Sequence, residues 1–210
     1  SGLDVADVIT SEETHREYVL LAARHGVHVI CQKPMASTLA DCREMVAACR
    51  QAGVRLMVHD NWRWQTPIRR FIKQLARGDI GRAFRSKILY AHDFPVFEAQ
   101  PFLAKLEHFI LMDMGTHILD CVRALFGEAD SLYCLTTQVT PDIAGEDVAT
   151  LLLQMQNGLH CTVCLSYASP MEQQCFPQTL IHVEGERGSL ELAPDYWIRQ
   201  TVGGVTTSFR

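Results

Sequence analysis

Within its first 59 residues the sequence sets three short apolar runs, Val5 to Thr10, Val27 to Cys31 and Val54 to His59, around two amphipathic stretches that each stop at a glycine, Gly26 and Gly53. Strand–helix–strand crossovers of this length join parallel strands through right-handed connections, so this pattern admits little besides a parallel sheet with helices packed on it. The first helix is expected to start at Ser11, followed by two acids, and to carry Tyr18, Leu21 and Ala22. The second opens with Thr38 and, three residues later, Asp41, a capping-box spacing, and repeats Leu39, Cys42, Met45, Val46 and Cys49 on one face. A sheet of this kind binds ligands beyond the carboxyl ends of its strands.

After residue 64 the texture changes. Thr66-Pro67 opens a helix with Ile68, Phe71, Ile72 and Leu75 inward and Arg69, Arg70, Lys73 and Arg77 outward. From Ala83 a strand pattern sets Phe84, Ser86, Ile88 and Tyr90 against Arg85, Lys87 and Leu89. A helix is expected from about Asp113 to Phe126, ending at Gly127. Strands follow at Leu132 to Val139, Val148 to Met155 and Leu159 to Ala168, the last two joined by Asn157-Gly158, and again at Thr179 to Val183 and Ser189 to Leu192. The expectation is an α/β domain over residues 1–64, then an α+β domain over 65–210 whose mainly antiparallel, open-faced sheet has helices on one side.

The chain is 210 residues long and 48% hydrophobic, enough to bury a core. A net charge of −5, with 19 basic and 24 acidic residues well mixed, leaves no footprint for nucleic acid or anionic lipid and points to a small-molecule partner. Eight irregularly spaced cysteines within apolar patterns read as reduced thiols, and no apolar run approaches membrane-spanning length, so a cytoplasmic location is expected.

Three clusters can carry chemistry. Gln32-Lys33-Pro34 stands at the carboxyl end of the second parallel strand, where Lys33 either directs its ammonium at a ligand or is an ordinary exposed lysine. Asp113 and His117, four apart on a helix, share a face. They suit acid–base work, but Asp113 can equally cap the helix, or the two can join His92, Asp93 or Glu107 around a metal. Asn61-Trp62-Arg63-Trp64 suits a planar or anionic ligand, or a packing element at a domain junction. Cys161 and Cys164, three apart in a strand pattern, face opposite sides and make a poor zinc pair.

The order of these segments resembles the family of glucose–fructose oxidoreductases, inositol dehydrogenases and rhizopine-catabolism proteins (Gfo/Idh/MocA). The resemblance rests on the Lys33-Pro34 turn, Asn61-x-Arg63-Trp64, Asp113-x-x-x-His117, Ile118-Leu119-Asp120 and Leu125-Phe126-Gly127, and covers nearly the whole chain. Thr10 to His15 resembles the family's Thr-Pro-x-x-x-His turn over the cofactor, and Gly185 to Leu190 its late Gly-x-x-Gly hairpin. Gln32 stands where the family has glutamate, Ser11 where it has proline, and the family's glycine-rich stretch before the aspartate is absent.

The resemblance implies that the parallel sheet is the C-terminal half of a Rossmann-type domain binding NAD or NADP, with Thr10, His15, Gln32, Lys33, Pro34, Arg63 and Trp64 near the cofactor. It implies catalytic roles for Lys33, Asp113 and His117 in hydride transfer with a sugar or polyol, and no metal. No G-x-G-x-x-G fingerprint occurs in the sequence. The expectation is that the segment gripping the dinucleotide phosphates is missing, so that these residues alone bind NAD(P) poorly. A non-catalytic ligand- or partner-binding relative is the competing reading. Self-association through the antiparallel sheet is expected, because Val148 to Met155 is apolar on both faces.

Overall fold

The computed structural model describes residues 2–170 and 179–210. They form two compact units, residues 1–61 and 62–210. In the first, β1 (Val5–Val8), α1 (Glu12–Arg24), β2 (His28–Gln32), α2 (Leu39–Gln51) and β3 (Leu56–His59) build a parallel sheet in the order β1-β2-β3. Val19 and Ala23 of α1, Met45 and Cys49 of α2, and Val29 and Cys31 of β2 make its core. The Thr38 hydroxyl accepts the Asp41 amide at 3.1 Å and donates to the Asp41 carboxylate at 2.6 Å, as the capping spacing predicts. Ser11 differs: it precedes α1, but its side chain accepts no backbone amide and only its carbonyl takes the Thr14 amide, at 3.0 Å. β1 borders the sheet, with Leu3, Val5 and Ile9 exposed beside it.

The second unit opens with the turn Trp62–Trp64, which the sequence reading had placed in the first. α3 (Thr66–Leu75) buries Ile68 and Phe71 completely. β4 (Ala83–Ala91), the short α4 (Val96–Ala99), a π-helical turn (Leu111–Gly115) and α5 (Thr116–Phe126) follow. Then come β5 (Ala129–Thr137), β6 (Val148–Met155), β7 (His160–Ser166), β8 (Thr179–Gly185), β9 (Gly188–Leu192), β10 (Ile198–Val202) and β11 (Val205–Phe209). The eight strands form one sheet ordered β11-β10-β9-β8-β4-β7-β6-β5, antiparallel except for the β4–β7 pair. One face, with Ile88, Leu151, Leu153, Val163, Ile181 and Leu190, packs into a core with α3 and α5. The other leaves Leu152 of β6 and Tyr133 and Leu135 of the adjacent β5 exposed, with Leu89 of β4 exposed beyond β7.

Phe84, in alternation with the buried Ser86, Ile88 and Tyr90, is nevertheless exposed, next to a bulge between Ala83 and Arg85 that shifts the register of β4 against β8. At the Asn157-Gly158 turn, Gly158 takes φ 84° and the Asn157 side-chain oxygen Oδ1 accepts the Leu159 amide at 3.0 Å. The Asn157 amide donates to the Phe126 carbonyl at 3.0 Å and so closes the end of α5. Gly185 and Gly188 each permit a close backbone approach: a Cβ on the first would overlap the Ile80 carbonyl and on the second the Thr201 carbonyl. Gly188→Ala is therefore expected to destabilise the protein by about 2 kcal/mol, measurable as a lower urea midpoint. An unchanged midpoint would mean that β9 and β10 separate freely at this point.

Candidate functional site

In the first unit the candidate residues lie on two turns at the carboxyl ends of β1 and β2. His15, 1% exposed in the first turns of α1, links them: its Nδ1 is 3.0 Å from the Pro34 carbonyl and its Nε2 is 3.0 Å from the Thr10 carbonyl. The Thr10 hydroxyl accepts the Thr14 hydroxyl at 2.7 Å. Gln32 turns its side-chain carbonyl onto the Lys33 amide at 2.9 Å, and the Lys33–Pro34 peptide is cis. The structure thus brings Thr10, His15, Gln32, Lys33 and Pro34 together. Lys33 is at the strand end, where the parallel topology opens its crevice.

In the second unit the expected regular helix from Asp113 is replaced by the π-helical turn Leu111–Gly115, followed by α5. The turn is pinned from a distant segment: the Glu146 carboxylate accepts the Leu111 amide at 3.1 Å and the Glu146 carbonyl accepts the Ile110 amide at 3.0 Å. Gly145 allows this approach, since a Cβ there would lie 2.5 Å from the Leu106 carbonyl. Single π turns of this kind widen the local pitch and recur at functional sites. The Asp113 carboxylate accepts the Tyr167 hydroxyl at 2.6 Å. The His117 ring, 5% exposed, stacks on Trp62 with centroids 4.8 Å apart. Trp62 is fixed in turn, its indole N–H donating to the Thr179 hydroxyl at 2.9 Å.

The turn preceding α3 is tied to α5 by Arg63, whose guanidinium forms a two-pronged pair with the Asp120 carboxylate and also donates to the Asp120 carbonyl at 3.1 Å. Two motifs distant in sequence, Asn61-x-Arg63-Trp64 and Ile118-Leu119-Asp120, thus hold each other. Trp64 is exposed, with the Arg69 guanidinium 6.0 Å over its ring.

Behind Asp113 lies a buried aromatic group that the sequence reading used only in part. Tyr90 and His92 come from β4 and its end, and Tyr167 follows β7. His92 Nε2 is 2.7 Å from the Tyr90 hydroxyl, and the Phe94 amide donates to His92 Nδ1 at 3.1 Å. Tyr90 and Tyr167 meet edge-on, with ring centroids 5.9 Å apart. Desolvation lowers the His92 pKa to about 4 and drives both phenols up, so the imidazole is neutral and the tyrosines protonated near pH 7. The available signal was Tyr90 on the inward side of a strand, where a buried phenol requires a partner.

Among the described residues no group of three or more His, Cys, Asp or Glu side chains is placed to hold a metal ion, so Asp113 and His117 do not form one with His92, Asp93 or Glu107. Cys161 points into the core of β7, where burial lifts its thiol to about 12, while Cys164 lies on the other face. Among the described residues no helix is long and apolar enough to cross a membrane.

Two family models match: the NAD-binding Rossmann-fold oxidoreductase family over residues 1–60, and the Gfo/Idh/MocA C-terminal domain over residues 68–191. The chain is 50% identical over 194 residues to D-apiose dehydrogenase from Paraburkholderia graminis, an overlap of 92% of this chain and 52% of that protein. It is 43% identical over 208 residues to D-apiose dehydrogenase from Rhizobium rhizogenes, covering 99% of this chain and 60% of that one. It superposes with a TM-score of 0.96 and 42% identity on an oxidoreductase from Agrobacterium radiobacter crystallised with NAD+, L-tartaric acid and magnesium, covering 100% of this chain and 61% of that one. The chain therefore spans roughly half to three-fifths of these relatives' lengths. With its C-terminal family model alone matching more than half of the sequence, this chain belongs to the Gfo/Idh/MocA family of oxidoreductases.

Proposed function

We propose that the chain is part of an NAD(P)-dependent oxidoreductase that transfers a hydride between nicotinamide and a secondary alcohol of a sugar or polyol. The observation that carries this is the pair at the head of α5: half-buried Asp113 held by the Tyr167 hydroxyl and buried His117 held against Trp62. Residues 1–61 are read as part of the dinucleotide-binding domain and 62–210 as the substrate domain. The strand ends of the first unit fit a nicotinamide ribose, because His15 fixes the Thr10 and Pro34 turns and Lys33 offers a cation between them in sequence. Thr10, Gln32, Lys33 and Pro34 would hold that part of the cofactor, while Arg63 and Trp64 belong to the packing of the substrate domain. The bound nicotinamide supplies the hydride chemistry. His117 acts as general base toward the substrate hydroxyl, Lys33 favours the developing alkoxide, and Asp113 orients the substrate or the imidazole.

The names of the two dehydrogenase relatives support a pentose-sized aldose as substrate. The test is nicotinamide absorbance in the intact protein with NAD and NADP against a panel of aldoses, including apiose, and polyols. Turnover with one class of sugar or polyol is expected. Dinucleotide binding without turnover across the panel would favour the non-catalytic reading, to which Gln32 in place of glutamate lends some support.

We also infer that two copies associate through the exposed sheet face bearing Leu89, Tyr133, Leu135 and Leu152. Leu152→Glu is expected to halve the mass in light scattering, and a monomeric wild-type protein at high concentration would refute the association. The seven cysteines of the described residues are all free thiols, in keeping with a cytoplasmic setting.

A further inference from the structure

We propose that Glu146 is a positioning residue of the substrate site: with Asp147 it braces both partners of the Asp113–Tyr167 hydrogen bond from one point of the chain, and so sets where the Asp113 carboxylate stands. The proposal rests on the reading of Asp113 as part of that site.

The brace is a set of adjacent contacts. The Glu146 carbonyl accepts the Ile110 amide at 3.0 Å and its carboxylate accepts the Leu111 amide at 3.1 Å. These amides head the helical run that carries Asp113 and His117, where backbone donors lack partners within the helix and the helix dipole favours a carboxylate. One residue on, the Asp147 carbonyl accepts the Tyr167 amide at 2.9 Å, which extends the β6–β7 ladder past its Val148–Ser166 pair. Asp113 and Tyr167, 54 residues apart in sequence, then meet at 2.6 Å. Two neighbouring residues thus hold both ends of that bond.

The brace is itself anchored. Asp147 is fully buried, and its two carboxylate oxygens accept the Val139 amide at 2.7 Å and the Thr140 amide at 2.9 Å. Its own amide donates to the Thr137 carbonyl at 3.3 Å, at the end of β5. Gly145 lets the brace come against residues 106–109, since a Cβ there would lie 2.5 Å from the Leu106 carbonyl oxygen and 2.9 Å from the Phe109 nitrogen. Phe109 completes the circuit: its carbonyl accepts the Asp113 amide at 2.9 Å and its ring stacks on Tyr167 at 5.1 Å. Shifting such a buried, hydrogen-bonded unit would leave polar groups unsatisfied, so it keeps a single arrangement. Within it, the Glu146 side chain can be altered in reach or in charge without removing a backbone contact.

Two conservative variants of the intact protein separate reach from charge. Glu146→Asp keeps the charge and draws the carboxylate back by one methylene from the Leu111 amide, whereas Glu146→Gln keeps the reach and loses the charge. The first readout does not depend on activity. It is carbon-13 NMR of protein labelled at the aspartate side-chain carboxyl, free of cofactor and substrate, with the Asp113 signal identified in each background by its loss on Asp113→Asn. That signal should move in Tyr167→Phe and in Glu146→Asp and keep its wild-type position in Glu146→Gln. A signal unmoved in Glu146→Asp, or moved further in Glu146→Gln, would overturn the proposal. Hydrogen exchange of the wild-type protein should find the Leu111 and Tyr167 amides both protected, and a Leu111 amide exchanging as fast as exposed loop amides would overturn it whether or not the variants fold. In kinetics kcat/KM should fall about tenfold in Glu146→Asp, through the same parameter, kcat or KM, that Asp113→Asn affects, with rescue to within about twofold of wild type by Glu146→Gln. Equal losses in both variants that track their melting temperatures would make Glu146 a purely structural residue and overturn its positioning role. A shifted signal with wild-type kinetics in every variant, Asp113→Asn included, would keep Glu146 as the brace of Asp113 and reject the catalytic reading of Asp113 instead.

Discussion

If the intact protein carries out the proposed hydride transfer with His117 as base, replacing His117 by alanine is expected to lower kcat by about two to four orders of magnitude, the usual yield of a positioned general base. Hydride removal from an alcohol carbon leaves a hydroxyl proton that must go to a base near neutral pH, and imidazole is the side chain matched to that task. His117 stands in the first turn of α5, nearly enclosed, with one ring face covered by Trp62. Such a ring has little rotational freedom, which is what keeps a proton acceptor aimed. Alanine also removes a stacked partner of Trp62, so melting of the variant must be recorded and the rate taken well below its midpoint. His117→Gln, which keeps volume and polarity but cannot take the proton, should be nearly as slow. Wild-type turnover in both variants would remove His117 from the chemistry.

Acidification is expected to destabilise the fold over a defined window. Burial lowers the His92 pKa to about 4 from 6.5, against the opposing influence of the Asp93 and Asp113 carboxylates. Tyr90 and Tyr167, the other titratable groups around the ring, stay protonated throughout. Between these two pH values the unfolded chain binds a proton at this position and the folded one does not, so stability rises with pH there. The contribution is complete above about 6.5 and is lost as pH falls toward about 4, up to roughly 3 kcal/mol in all. Urea titrations at pH 7.5, 5.5 and 4.5 should record the decline, and His92→Gln should flatten it. An equally steep decline in that variant would assign the acid sensitivity to the carboxylates instead.

The parallel half of the fold was legible because its signals are local: period and glycine stop coincide in α1 and α2, and in α2 the Thr38 cap joins them. In the second unit, strand patterns marked β4 to β9, but β10 and β11 escaped notice. β10 (Ile198–Val202) buries only Ile198, and β11 (Val205–Phe209) is exposed except for a half-buried Phe209, so no apolar alternation marks them. The π turn was illegible for another reason. Its cause is Glu146, 35 residues from the Leu111 amide it serves, and nothing near Asp113 announces it. The same holds for Arg63, which looked like a ligand contact until Asp120 was found beside it. Lys33, Asp113 and His117 were named from motif order, while the Tyr90 and Tyr167 supports required knowing which strands are neighbours.

The position of β4 in the large sheet has a consequence for biosynthesis. Its neighbours are β7 and β8, both made later, and β4 is complete at residue 91 while β8 begins only at Thr179. At ribosomal rates of about 5–20 residues per second, the strand that will lie at the middle of the sheet waits roughly 5–20 seconds with a bare side. Closing such long loops is also entropically slow, and the half-made sheet exposes Ile88 and Tyr90 meanwhile. Expression yield of this unit should therefore respond to chaperone supply and to growth temperature more strongly than its final stability would suggest.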